Sequence, residues 1–326
     1  MTKQKEYRII CHINEEWAAV GSRWYRQKYS IYIGAEERIT HMEKYKTLME
    51  MNRKIVFGEE ISDTEKEEAV SILLNGICDK EDILKYKRRM KVKAETDNMY
   101  PNYYIPPQNG NKKLRLIQGY LPKTNILYAN HYELEVIRLL YMFIPENQTV
   151  DEMVKNTLQR LKGTCFGNSC AQGECLTTGI SVLRFLAVVQ PDNTEWIDQL
   201  LNPLGEIFLS FGNGQAAIQK GIPMSYLLMA FTDINNEKTK ELIMQKKEWL
   251  LGLLRRGWIT GKLSNGKISE GDTYNLMGKY IIRNAIGTLP EYEDDNGVSD
   301  MLAEACDLVH SCMEMERDKE GFEIGN

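Results

Sequence analysis

Residues 163–186 read GTCFGNSCAQGECLTTGISVLRFL, and the reading of this stretch sets the architecture of the whole chain. Its first half is a glycine-rich loop that packs Cys165, Cys170 and Cys175, three of the seven cysteines, into eleven residues. From Cys175 onward the only charge is Arg184, and the rest is apolar or small, the composition of a helix covered by protein on most of its surface. A loop that opens straight into a buried helix is a unit, and units of this kind repeat along the chain.

Segments with few charges start near His131 (LEVIRLLYMFI), Glu174 (CLTTGISVLRFLAVV), Gly214 (QAAIQKGIPMSYLLMAF) and Asp272 (TYNLMGKYIIRNAIGTL). Amphipathic segments fall between them, near residues 149–162, 194–209, 236–255 and 298–318, which predicts inner helices alternating with outer ones. Thr149, Thr194 and Asn236 are the expected N-caps, Pro145, Pro191 and Pro290 follow inner segments, and Pro223 is expected to kink the third. The inner starts are separated by 43 residues (131 to 174), 40 (174 to 214) and 58 (214 to 272), a period that means stacked helical hairpins. The longer third interval holds WITGKLSNGKI at residues 258–268, whose alternation around Asn265 and Gly266 predicts a β-hairpin.

Two junctions share one form. Gly163-Thr-Cys-Phe, a loop and Gly173-Glu-Cys-Leu-Thr-Thr lead into one apolar helix, as Gly257-Trp-Ile, a loop and Gly271-Asp-Thr-Tyr-Asn-Leu lead into another. Over about residues 130–320 this resembles the repeat of the protein prenyltransferase and terpenoid cyclase superfamily. The resemblance implies an all-α fold, an α/α toroid whose inner helices line a central cavity and whose loops collect at one mouth. An open solenoid of the HEAT or TPR kind is the alternative. The catalytic motifs are missing. The chain has no Asp-x-Asp-Asp, the spot comparable to a prenyltransferase zinc site offers only Asp272 and Tyr274, and the Cys-His pair of lanthionine cyclases is absent.

The remainder divides into a mainly helical N-terminal region (1–98, with charged helices expected over 35–56 and 62–92), an irregular connector (99–129), the repeat domain (130–320) and a short tail (321–326). Residues 1–129 carry 23 basic and 18 acidic side chains, while the whole chain has a net charge of −5, so the two parts differ in sign. The basic run KYKRRMKVK at residues 85–93 holds one aromatic, Tyr86, rather than an interleaved series, and reads as a solvated helix face rather than a nucleic-acid contact. An odd number of cysteines without a secretory signal points to reduced thiols in a cytoplasm, and no apolar run is long enough to span a membrane.

If the inner helices begin at one mouth, His131, Glu133, Glu174, Cys175, Gln215, Asp272 and Tyr274 converge there with Trp258 and Lys262. Glu174 and Asp272, at helix N-termini, are either caps or candidate bases and cation ligands. Cys175, in a first helical turn, is a candidate nucleophile with His131 as its base, and Cys165, Cys170 and Cys175 are candidate ligands for zinc. Arg184 and Arg283, on apolar helices, point to an acidic ligand or to a paired core carboxylate. The function expected is either an enzyme acting on a small, partly apolar molecule or peptide in a central cavity, with Glu174, Cys175 and Asp272 in the chemistry, or a module that binds a protein partner and keeps its cysteines structural.

Overall fold

The computed structural model describes residues 41–109, 112–170, 173–213, 222–255 and 270–290. The expectations for residues 1–34, Gln215, the 258–268 hairpin with Trp258 and Lys262, and the outer helix at 298–318 lie outside those residues. Chain contacts divide the protein after Ile39, and every described residue belongs to the unit that follows.

That unit is all-α. Its helices are α1 (His41–Phe57), α2 (Asp63–Asn75), α3 (Lys80–Arg89), α4 (Asn125–Phe143), α5 (Gln148–Lys162), α6 (Cys175–Val189), α7 (Thr194–Ser210), α8 (Met224–Ile234), α9 (Glu237–Gln245), α10 (Lys247–Arg255) and α11 (Glu270–Ile286). Two short strands in the connector, β1 (Gln108–Asn109) and β2 (Lys112–Lys113), pair antiparallel with Gln108 opposite Lys113. None of the helices among the described residues is long and apolar enough to cross a membrane.

Side-chain acceptors fix most of the helix starts. Ser62 and Glu65 form a reciprocal capping box on α2, and Thr124, Asn147, Asn193 and Asn236 accept from backbone N–H groups at the starts of α4, α5, α7 and α9. The caps expected at Thr149 and Thr194 therefore belong to Asn147 and Asn193, whose amide oxygens reach the second or third N–H of the helix. Pro223 does not kink a helix here. It is the residue before α8, where the absent N–H costs no hydrogen bond. The single helix expected over 62–92 is broken between α2 and α3, because Asp79 caps a new start.

α4 and α6 are buried along almost their whole length, as their sparse charge implies. α4 packs against α6, α6 against α8, α8 against α11, α11 against α1, and α1 against α4, so the contacts return to their origin. The more polar helices lie against these: α2 on α1 and α4, α5 on α4, α7 on α6 and α8, α9 on α8 and α11, and α10 on α11.

Between α4, α6 and α8 the facing side chains are charged. Arg184 donates from Nε to Asp233 at 2.7 Å and from Nη1 to Glu135 at 2.7 Å. Arg138 reaches Asp233 at 3.0 Å and Glu135 at 3.6 Å, which closes a neutral ring of two acids and two arginines. Burial alone would push the Glu135 carboxyl up, but Arg184 and Arg138 hold it below its ordinary value. The alternative open in the sequence for Arg184 thus resolves to a paired core carboxylate, and the ion pairs lie between these helices.

Removing one member leaves a buried charge without a partner. Arg184→Leu is expected to cost about 3–5 kcal/mol, read as a lower urea midpoint. Arg184→Lys should recover only part of the loss, because one ammonium cannot bridge Glu135 and Asp233 as the planar fork does.

Candidate functional site at the helix starts

The connector between α3 and α4 crosses the N-terminal ends of four of the packed helices. Tyr45 of α1 donates to the Arg115 carbonyl at 2.7 Å. Tyr128 of α4 accepts from Leu114 N–H at 3.2 Å and donates to the Pro107 carbonyl. On α11 the Tyr274 ring lies under Gly119, where a Cβ would fall 2.6 Å from its Cγ, and Arg115 sits over the same ring at 5.8 Å. Gly119 also has φ +85°, so only glycine suits this close approach.

Glu174, the residue before α6, ties the connector down. One carboxylate oxygen accepts from Lys123 N–H at 2.7 Å and from the Tyr120 hydroxyl at 3.2 Å, and the other accepts from Thr124 N–H at 2.6 Å. It makes no side-chain bond to its own helix. The carboxylate expected to cap α6 or to act as a base therefore satisfies the N–H groups leading into α4. Glu133, also expected here, is fully buried and holds residues 102–104, accepting from the backbone of Asn102, Tyr103 and Tyr104 while Arg160 donates to its second oxygen at 3.0 Å.

His131 is buried, with Nε2 accepting from Ile117 N–H at 3.4 Å and Nδ1 lying 3.3 Å from the Ser181 hydroxyl. The backbone donor assigns the ring proton to Nδ1, which donates to Ser181. Ser181 in turn lies 2.9 Å from the Tyr226 hydroxyl, which donates to Glu135 at 2.7 Å. His131 thus ends a chain that runs into the ion-pair ring, and its bonds are to Ile117 and Ser181 rather than to Cys175. Burial lowers its pKa to about 4, Glu135 and Arg184 acting in opposite senses.

The three cysteines do come together. Their Sγ atoms all lie within 4.8 Å of one another, with Cys165 and Cys175 at 3.6 Å. Four intervening residues separate each consecutive pair, and between Cys165 and Cys170 the backbone closes that distance by a 3₁₀ turn over Phe166–Asn168 followed by Ser169 at φ +60°. Asn168 and Cys170 N–H both donate to the Cys165 carbonyl at 3.1 Å. The turn is pinned from below. Trp196 Nε1 donates to the Gly167 carbonyl at 2.7 Å, Ser169 donates to the Gln199 carbonyl at 2.6 Å, and a Cβ on Gly167 would meet the Leu161 carbonyl at 2.2 Å. Cys165 is exposed, and Cys170 and Cys175 are half-buried. The Cys175 thiol is pushed up to about 12, first by burial and then by Cys165 and Cys170. A thiol in the first turn of a helix is expected to ionise easily, and here burial, followed by the two neighbouring sulfurs, outweighs that influence.

Asp272 falls in the first turn of α11 by its backbone, and its side chain, like Gln215, Trp258 and Lys262, is outside the described residues. The connector residues Ile117, Tyr120, Lys123 and Thr124 carry no sequence signal for their partners. Glu135 and Ser181 carry one: His131, Glu135 and Arg138 on α4, and Thr177, Ser181 and Arg184 on α6, repeat at i, i+4 and i+7, a polar stripe on helices otherwise apolar. A groove of about 470 Å³ lies elsewhere, along α5 and the C-terminal ends of α4 and α6, lined by Tyr141, Val154, Lys155, Leu158 and Val189. It gathers no set of reactive groups comparable to the thiols. No family model, curated protein or solved structure matches the chain.

The folded state holds His131 neutral, whereas the unfolded chain protonates it near pH 6.5, so the unfolded state binds more protons between about pH 4 and 6.5. Stability should be full above pH 6.5 and fall by on the order of 3 kcal/mol toward pH 4. His131→Gln should flatten that slope in denaturation curves recorded across the window. Glu135, with its lowered pKa, adds a separate loss below its ordinary range near 4.5. Glu174→Ala should cost about 1–3 kcal/mol and open the connector, seen as faster tryptic cleavage after Arg115 and Lys123.

Proposed function

We propose that the chain is an α/α toroid of the terpenoid cyclase and protein prenyltransferase kind, and a cytoplasmic enzyme that acts on a small, partly apolar molecule or peptide at its mouth. The return of the helix contacts to their origin supports the toroid, as does the gathering of the starts of α1, α4, α6 and α11 under one connector. The four described cysteines are free thiols, in keeping with a reducing compartment.

One observation carries the functional reading: three pinned thiols stand at an accessible rim, next in sequence to the carboxylate that clasps the connector. The ion-pair ring occupies the interior between α4, α6 and α8, so the reading puts the chemistry at the rim rather than in a central cavity. In this reading the thiol cluster is the reactive centre and Glu174 is a positioning residue acting through Tyr120, Lys123 and Thr124. Leu121, about half exposed in the same stretch, offers the apolar contact for the substrate. A free Cys175 thiol with a raised pKa is a poor nucleophile at neutral pH, so the cluster needs a source of positive charge to be reactive.

Native mass spectrometry of the full chain after gentle purification tests this reading. A small molecule or peptide retained by the unaltered protein, and lost in Cys175→Ala and Glu174→Ala with unchanged circular dichroism, is the expected result. A protein partner that stays bound to a variant with all three cysteines replaced, with no small ligand retained, would instead establish a binding module with structural cysteines.

A further inference from the structure

We propose that Cys165, Cys170 and Cys175 bind one thiophilic divalent cation, of which zinc is the representative, through three thiolate sulfurs, with the fourth tetrahedral position filled by a ligand other than these cysteines. The inference adds a metal to the proposed site and stands on sulfur geometry, so it holds or falls separately from the enzymatic reading.

A tetrahedral ion bonded to sulfur at about 2.3 Å spaces its ligands about 3.8 Å apart. Cys165 and Cys175 are 3.6 Å apart, and Cys170 lies within 4.8 Å of both, which matches one ion after a small adjustment. A cluster of several metals, with each cysteine on a different metal, would need wider spacing. A disulfide would use two of the sulfurs and leave the third unexplained. Four intervening residues, wider than the usual metal knuckle, suffice because the 3₁₀ turn and the left-handed Ser169 fold Cys170 back onto the Cys165 carbonyl.

The supports are built before any ion arrives. Trp196, Gln199 and the Thr164 hydroxyl hold the turn by hydrogen bonds, while Cys175 is held by the first turn of α6. As the ion binds, each thiol gives its proton to solvent and forms a sulfur–metal bond, and the cation balances charge that three adjacent thiolates could not otherwise carry. Among the described residues the convergent ligand group consists of these three thiols, which leaves a coordination position to water or to an incoming molecule. This ligand set differs from the Asp, Cys and His of the prenyltransferases that the repeat resembles.

The test uses the full chain, purified untagged under reducing conditions, stripped with chelator and titrated with Co²⁺ alone. One equivalent should bring a thiolate-to-cobalt charge-transfer band in the near ultraviolet with intense tetrahedral visible bands, both displaced by Zn²⁺. Single Cys→Ser variants should weaken binding by more than the roughly 10–100-fold that loss of an outer-shell partner costs, and C165S/C170S/C175S should abolish it. No spectral change, weak octahedral bands, or the same bands in the triple variant would overturn the proposal. Should the triple variant not fold, alkylation of the unaltered protein decides: Zn²⁺ should protect these three cysteines and leave Cys78 unaffected, and equal labelling with and without zinc would overturn it. A bound ion whose removal leaves ligand retention unchanged would sink the enzymatic reading and leave the metal site intact.

Discussion

Arg184 is the constraint on which the rest of the packing depends. It rises from the middle of α6 into a space with almost no access to water, and its guanidinium binds Glu135 of α4 and Asp233 of α8 at once. A buried ion pair of this kind gains little over apolar packing, but each member is costly to leave unpaired. Three helices from distant parts of the chain are thereby held in one register, since a shift of a single turn would strand two carboxylates and two arginines in the core. The hydrogen-bonded line through Tyr226, Ser181 and His131 carries that register from the ion pairs to Ile117 of the connector.

The same polar logic recurs where the connector crosses the helices. Backbone N–H groups of the connector would be unsatisfied where it crosses the helices, and Glu133 and Glu174 each accept two or three of them. These carboxylates stand where a sequence search for acid–base chemistry would look, and each already serves as an acceptor for neighbouring backbone. What is left accessible and chemically uncommitted is the thiol cluster. Its three members contact one another and depend for position on a turn that Trp196 and Gly167 hold from behind.

Local patterns in the sequence were legible wherever the physics was local. Alternation of uncharged and amphipathic segments places α5 to α7 to within a residue, because burial of a whole helix forbids charge and burial of one stripe permits it, whereas α4 begins at Asn125, six residues before the start expected near His131. The caps were misplaced by one or two residues toward Thr149 and Thr194, since Asn147 and Asn193 serve the same N–H groups with a shorter reach. Pro223 stands at a helix start rather than a kink, a difference that the apolar residues on both sides of it conceal in the sequence. The polar stripe of His131, Glu135 and Arg138 was present in the spacing, yet its partners, 49 residues away at Arg184 and 91 at Tyr226, were not.

By itself the sequence determined an all-helical unit, the order and approximate extent of its hairpins, and the presence of three cysteines in one loop, because propensity, capping and hydrophobic period act over a few residues. Tertiary structure alone decided that Glu174 serves α4 rather than α6, that His131 turns to Ser181 instead of Cys175, and that the three sulfurs meet. Those outcomes depend on which helices become neighbours and on a left-handed turn at Ser169, a residue with no strong preference for that conformation. Hydrogen-bond satisfaction and charge pairing in a low-dielectric core are properties of the assembled contacts, and no short window along the chain contains both Glu174 and Thr124, both His131 and Ser181, or both Arg184 and Glu135.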